Sequence, residues 1–130
     1  MLVAQFFLQP LIQEKIKAQE ELWLHKKQVY IKAIELVDKR FDSMIFGNSE
    51  PIAKEPTTKE INDVFRDLLM VCDNEKIIIS FSKFMDISVE GYCCPANRGV
   101  FIKLLRKDLG KSTLTIEDDK IPYFRTHSNK

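Results

Sequence analysis

Cysteine and histidine side chains could bind a metal ion. A cysteine could also act as a nucleophile with a histidine as its general base. The three cysteines are Cys72, Cys93 and Cys94, and the two histidines are His25 and His127. Adjacent cysteines cannot easily both reach one tetrahedral ion, and a Cys/His pair needs a third group to orient the base. The sequence therefore predicts cysteines in loop or core positions, no cofactor or metal, and no enzyme.

The cysteines also bear on the compartment. Their number is odd and two are adjacent, which is the pattern of neither a disulfide framework nor a zinc knuckle. The first fifteen residues have an apolar start, no cationic leader, and an interruption at Gln5, Gln9 and Pro10. We therefore expect reduced thiols in the cytoplasm and neither a signal peptide nor a complete membrane span.

Carboxylates are the commonest groups with potential for acid and base chemistry. None of them forms the Glu-x-x-His repeat of helical di-metal sites, and the chain has no glycine-rich phosphate loop. Helix caps and surface ion pairs account for them. Asp118 and Asp119, for example, stand where the N-terminus of a short helix favours negative charge.

Basic residues crowd the segment after Pro95. Lys103, Arg106 and Lys107 are spaced to share one helix face, with Arg98 and Lys111 nearby. Such a face could follow a phosphate backbone or anionic lipid headgroups. The formal net charge of +1 and the absence of aromatic residues between Lys103 and Lys111 disfavour nucleic acid. Arg98, Lys103, Arg106 and Lys107 are retained as the candidate anion-binding face.

The elements that position these groups are predicted to be helices. A chain of 130 residues matches the usual size of one domain, and 4 Gly and 5 Pro leave little room for the turns of an all-β protein. We predict an all-α fold over residues 1–130. It is a four-helix bundle with a long first helix, a short C-terminal helical turn and a frayed tail at 125–130.

The first helix is predicted over about 10–44, beginning at Pro10. Apolar residues recur every seven positions, in the sets Ile16, Trp23, Tyr30, Val37, Met44 and Leu22, Val29, Leu36. Trp23 is expected in the core, against the other three helices. At about 1.5 Å per residue this helix exceeds the bundle in length. Residues 1–12 should therefore project, and the candidate interaction surface is Phe6, Phe7, Leu11, Ile12 and Ile16.

The remaining helices have clear boundary signals. Thr57 and Glu60 form a capping box for a helix over about 58–71, whose stripe includes Leu69. Asp73 or Asn74 caps the third helix, where Ile77-Ile78-Ile79 could also be read as a strand, although no second strand is available to pair with it.

The fourth helix opens at Pro95, carries Val100 on its stripe and stops at Gly110. A short capped turn follows near 116–119. Tyr123 and Phe124 are expected to dock the tail onto the bundle.

Three runs of residues carry a resemblance to a known family. KAQEELW at 17–23, FSKFM at 81–85 and LLRKDLG at 104–110 resemble those of an uncharacterised bacterial domain of small all-helical proteins. The resemblance covers the chain from about Pro10 to Phe124. It implies a helical architecture and a cytosolic context, and in relatives the domain often follows transmembrane helices. The family has no established activity.

Two functional hypotheses follow. In the first, the protein is an interaction or scaffold module whose projecting apolar stripe pairs with another copy, a partner protein or a membrane surface at the inner face. In the second, the basic face of the fourth helix binds nucleic acid or anionic lipid. The first is favoured, because exposed apolar surface has a free-energy cost in water whereas a mixed-charge helix face is well solvated.

Overall fold

The structure, a computed structural model, describes the backbone of residues 2–46, 54–86, 88 and 91–124, and the side chains among them from residue 10 onward. Four α-helices and one short 3₁₀ turn make up this part, and it contains no strand. The predicted all-α fold is confirmed. The elements are α1 (Leu2–Ile45), α2 (Thr58–Val71), α3 (Glu75–Met85), α4 (Pro95–Asp108) and the 3₁₀ turn Asp118–Lys120. The predicted frayed tail at 125–130 lies outside the described residues.

The first helix starts earlier than predicted. It begins at Leu2, so that Pro10 lies inside it and not at its first turn. A proline inside a helix removes one backbone hydrogen bond, but the residues before it, LVAQFFLQ, include several good helix formers. The start predicted at Pro10 was therefore wrong by two turns, whereas the end at Ile45 lies one residue from the predicted one.

Local capping signals placed the other helices correctly. The hydroxyl of Thr57 accepts a hydrogen bond from the backbone N–H of Glu60 at 3.1 Å, and the Glu60 carboxylate accepts from the N–H of Thr57 at 3.2 Å. The side chain of Asn74 accepts from the N–H of Lys76 at 3.0 Å and starts α3. Pro95 occupies the first turn of α4. The two side-chain caps satisfy backbone donors that a helix start leaves unpaired, and the proline at the start of α4 has no such donor.

The hydrophobic core surrounds the C-terminal half of α1. From that helix it takes residues from Val29 to Phe41, and it adds Val64 and Leu68 of α2, four residues of α3 and Phe101 and Leu105 of α4. The Ile77–Ile79 run is helical. Residues two apart share a face in a strand but not in a helix, and here Ile77 is fully buried while Ile79 is half exposed. The helical interpretation of this run was correct.

Three residues predicted to be buried face solvent instead. Leu69 of α2, Val100 of α4 and Phe124 are exposed, the last by 82%. Among the described elements α2 contacts only α1 and α3, so a single side of it is covered. The sequence pattern predicted a wider apolar stripe than this narrow contact needs. Of the two tail aromatics only Tyr123 docks, with its ring 5.1 Å from that of Phe41.

The tail from the 3₁₀ turn onward packs closely against α4. At Gly99, in the middle of this contact, an added Cβ would lie 1.9 Å from the carbonyl oxygen of Asp118. No side chain can occupy that space, so glycine is required for the backbone of the tail to approach the helix.

Candidate interaction and anion-binding surfaces

The N-terminal half of α1 extends beyond the bundle. All described residues from Pro10 to His25 are exposed, and the core begins at Val29. Residues 10–25 therefore extend beyond the core, whereas for the residues before Pro10 the predicted projection of 1–12 stays a prediction. It carries a row of exposed large apolar side chains, which we call the projecting stripe: Leu11, Ile12, Ile16, Leu22 and Trp23. The side chains of Phe6 and Phe7, also predicted for this surface, lie outside the described residues.

Trp23 belongs to this stripe and not to the core. Its side chain is 38% exposed, and its ring lies 5.5 Å from Nζ of Lys27 and 5.9 Å from Nζ of Lys111. The seven-residue spacing put Trp23 in register with buried Tyr30, but the bundle ends between these two turns. The expected packing against α2, α3 and α4 was therefore wrong. Cation–π contacts with two lysines replace it.

The last turn of α4 is fastened to α1 where the bundle ends. Asp108 forms an ion pair with Nζ of Lys26 at 2.6 Å and accepts a hydrogen bond from the hydroxyl of Tyr30. Burial, and then this hydrogen bond, raises the pKa of Tyr30 well above its ordinary value near 10. Tyr30 therefore stays protonated, and Asp108 neutralises a lysine of α1, not the cations of its own helix.

Arg98 does not belong to an anion-binding face. It is only 6% exposed, and its Nε donates to Asp38 of α1 at 2.7 Å. Its Nη1 donates to the carbonyl oxygens of Ile121 and Pro122 at 3.2 and 3.3 Å. The guanidinium also lies 5.6 Å from the ring centre of Phe41. These contacts leave no open side for a ligand, because Arg98 points inward from α4 and holds the tail.

The other predicted basic residues do share a surface. Lys103, Arg106 and Lys107 line a cleft of about 280 Å³ together with Lys111. Lys103 is neutralised there by Asp118 at 2.7 Å. Apolar residues also line this cleft. The sequence did not predict them there, because no local signal shows that the segment after Gly110 folds back along α4.

The cysteines and histidines form no site within the described part of the chain. All three cysteines are free thiols, and no cluster of three or more His, Cys, Asp or Glu side chains there could hold a metal ion. Burial raises the pKa of the Cys93 thiol to about 12, which keeps it protonated and poorly nucleophilic. His127 lies outside the described residues.

Comparison with protein-family models, curated proteins and solved structures found no match for this chain. The resemblance of its three sequence runs to a bacterial helical domain therefore remains a prediction. Among the described residues, no helix is both long and apolar enough to cross a membrane.

Proposed function

We propose that this protein is an interaction module in which the projecting stripe pairs with the same stripe of a second copy. The observation that carries the proposal is the exposure of five large apolar side chains on a helix that extends beyond its own core. Exposed apolar surface costs about 25 cal/mol per Å² relative to buried surface. Contiguous patches of this kind mark sites of association.

Residues on one face of the projection are spaced as in helices that form coiled coils. Ile12, Ile16, Gln19 and Trp23 follow one another at intervals of four, three and four residues. This alternation keeps one side of a helix against a neighbour, as in coiled coils. A polar residue such as Gln19 in the seam is a common means of fixing register and the number of chains.

The direction of the second copy follows from where the bundle lies. Trp23 is one heptad before Tyr30 and two before Val37, both of which are buried against the bundle. A second helix on the stripe therefore occupies the same side of α1 as α2, α3 and α4. Parallel pairing would place the two bundles side by side at one end of the pair. Antiparallel pairing places them at opposite ends, and only the turns of the partner before Pro10 reach the end of α4. We accordingly propose antiparallel pairing.

One antiparallel register brings the apolar positions together without opposing like charges. It places Ile12 opposite Trp23 of the other copy and Ile16 opposite Gln19 of the other copy. At the edges of the seam, Lys15 then faces Leu22 of the other copy, and Glu20 faces Gln13. A second copy thus has apolar residues at matching positions of the seam and no like charges facing each other at its edges. This match favours a second copy over an unrelated partner.

Sedimentation velocity at increasing protein concentration tests the proposal. We expect the wild-type protein to be a dimer at tens of micromolar. The double variant Ile12→Ser with Ile16→Ser should be a monomer, because it removes two seam side chains. The matched control is Leu69→Ser with Met70→Ser, which removes two equally apolar, exposed side chains of α2 and should remain dimeric.

Two results would contradict the proposal. A monomeric wild-type protein at that concentration would remove its support, and so would a dimer that persists in the Ile12 and Ile16 double variant. Binding of a monomer to lipid vesicles through the stripe would assign the surface to a membrane instead.

Two further expectations accompany the proposal. We expect no catalytic activity, because the raised pKa of Cys93 opposes a role as a nucleophile. We also propose a cytoplasmic location in a bacterial cell. Three free thiols support a reducing compartment, and the resemblance of the sequence runs supports a bacterial source.

A further inference from the structure

The cleft beside α4 is lined by both basic and apolar residues. Its volume is about 280 Å³, just below the range of about 300–1,000 Å³ usual for small-molecule sites. Its lining includes three basic residues, which we call the basic rim: Arg106, Lys107 and Lys111. It also includes three apolar residues of α4 and the returning segment: Val100, Leu104 and Leu114. This arrangement suits a small ligand with one charged end and one apolar end.

The positive charge of the rim is not neutralised by the part of the protein that the structure describes. Within the described residues, no carboxylate lies within ion-pair distance of Arg106, Lys107 or Lys111. The fourth cation, Lys103, is already paired with Asp118. Asp108, next to Lys107 in the chain, is directed to Lys26. Three cations that line the cleft are thus without an ion pair in the described part of the chain, and one of them, Lys111, also lies with its Nζ 5.9 Å from the ring of Trp23.

Arg106 is held in place by the segment that closes the cleft. Its Nη2 donates to the carbonyl oxygen of Ser112 at 3.3 Å. Its Nε is buried and has no hydrogen-bond partner among the described atoms. Because the guanidinium is already fixed, less side-chain entropy is lost when a ligand binds it. An anion nearby would also offset the free-energy cost of burying an incompletely paired charge.

The end of α4 brings Lys111 back toward the same site. Gly110 adopts a φ of 77°, and the N–H of Lys111 donates to the carbonyl of Arg106 at 2.9 Å. The N–H of Gly110 donates to the carbonyl of Lys107 at 3.0 Å. These two bonds form the Schellman motif, which reverses the chain after a helix. They reverse the chain so that Lys111 lines the same cleft as Arg106 and Lys107.

We propose that this cleft binds a phosphate monoester that carries an apolar group. The phosphate would lie among Arg106, Lys107 and Lys111, and the apolar group would cover Leu104 and Leu114. A monoester carries a charge between about −1.5 and −2 at neutral pH and presents three acceptor oxygens, which matches three cations better than a singly charged diester does. This inference does not rest on the pairing of α1.

Isothermal titration calorimetry with hexyl phosphate and with inorganic phosphate tests the site. Hexyl phosphate should bind the wild-type protein more tightly than inorganic phosphate does. The double variant Lys107→Gln with Lys111→Gln should bind hexyl phosphate with an affinity at least about tenfold lower than that of the wild type. The matched control, Lys32→Gln with Lys76→Gln, removes two exposed lysines elsewhere and should bind as the wild type does. Leu114→Ala should reduce the preference for hexyl phosphate over inorganic phosphate.

Vesicles distinguish a lipid headgroup from a soluble ester as the source of the monoester. If the ligand is a lipid, vesicles with phosphatidic acid should bind, vesicles with phosphatidylglycerol should not, and the Lys107 and Lys111 double variant should lose binding. If it is soluble, hexyl phosphate should bind and neither vesicle should.

Three results would overturn the proposal. The first is equal affinity of the two lysine double variants for hexyl phosphate, and the second is equal binding of both vesicle types. The third is binding of a DNA duplex without any binding of hexyl phosphate, which would assign the basic rim to nucleic acid.

Discussion

The guanidinium of Arg98 on α4 donates a hydrogen bond to the carboxylate of Asp38 on α1 at 2.7 Å, and the pair closes the bundle on its tail side. The same guanidinium holds the carbonyl oxygens of Ile121 and Pro122. One buried cation thus joins two helices and the segment after the 3₁₀ turn. The basic residues of α4 therefore have two roles. Arg98 is buried and holds the structure together, whereas Arg106 and Lys107 line the cleft.

Replacement of Arg98 should destabilise the fold strongly. Arg98→Ala leaves Asp38 without its partner and releases the tail, so we expect the free energy of unfolding in urea to fall by about 3 kcal/mol. Lys107→Ala, a change at an exposed cation of the same helix, should alter it by less than about 0.5 kcal/mol. Similar losses in the two variants would show that Arg98 is not a structural residue.

Gly99 should not tolerate even one added carbon. Gly99→Ala places a Cβ against the carbonyl of Asp118, and the backbone of the tail must move away. Overpacking costs about 1–3 kcal/mol, which should outweigh the gain in helix propensity of roughly 1 kcal/mol. Urea unfolding checks the prediction, with Ser82→Ala at an exposed position of α3 as the control. A more stable Gly99→Ala protein would contradict it.

Tyr30 should make the protein sensitive to alkaline pH. Its pKa is raised in the folded protein, so above its ordinary value near 10 the unfolded chain loses the phenolic proton while the folded protein keeps it. Stability present below that pH is lost as the pH rises, by up to about 1.4 kcal/mol for each pH unit. The measurement is the free energy of unfolding of the wild type and of Tyr30→Phe across this range. The advantage of the wild type should shrink as the pH rises, and an unchanged advantage would contradict the assignment.

Local signals in the sequence were sufficient to predict most of the helix boundaries. The capping box of Thr57 and Glu60, the cap at Asn74 and the stop at Gly110 depend on residues a few positions apart, so they can be identified in the sequence without knowledge of the tertiary structure. Pro10 is the exception, because a helix can continue through a proline when the flanking residues favour it.

Errors arose where burial depends on distant segments. The heptad pattern treats Trp23 and Tyr30 alike, and only the position of the end of α4 separates them. Arg98 has the spacing of a surface cation, and only the path of the tail turns it inward. An isolated glycine early in a predicted helix was the one available hint that another backbone comes close at Gly99.

Cys93 should be a slow thiol. Burial raises its pKa from 9.0 to about 12, so the reactive thiolate is scarce at mildly alkaline pH. Iodoacetamide labelling followed by peptide mass spectrometry should show alkylation of Cys93 at least about a hundredfold slower in the folded protein than in the denatured chain. Equal rates in the two states would place this thiol in solvent.

Disulfide trapping should distinguish antiparallel from parallel pairing of α1. In a background with Cys72, Cys93 and Cys94 replaced by serine, one preparation carries Ile12→Cys and another carries Trp23→Cys. The proposed register puts these two positions opposite each other, whereas two copies of position 12 are offset by eleven residues, or about 16 Å along the helix axis. A disulfide requires Cα atoms within about 7 Å, so mild oxidation of the mixture should yield the mixed dimer of positions 12 and 23. Parallel helices would instead bring position 12 against position 12. Predominant disulfides between two Ile12→Cys chains would therefore show that the bundles lie at the same end of the pair, against the steric argument from Tyr30 and Val37.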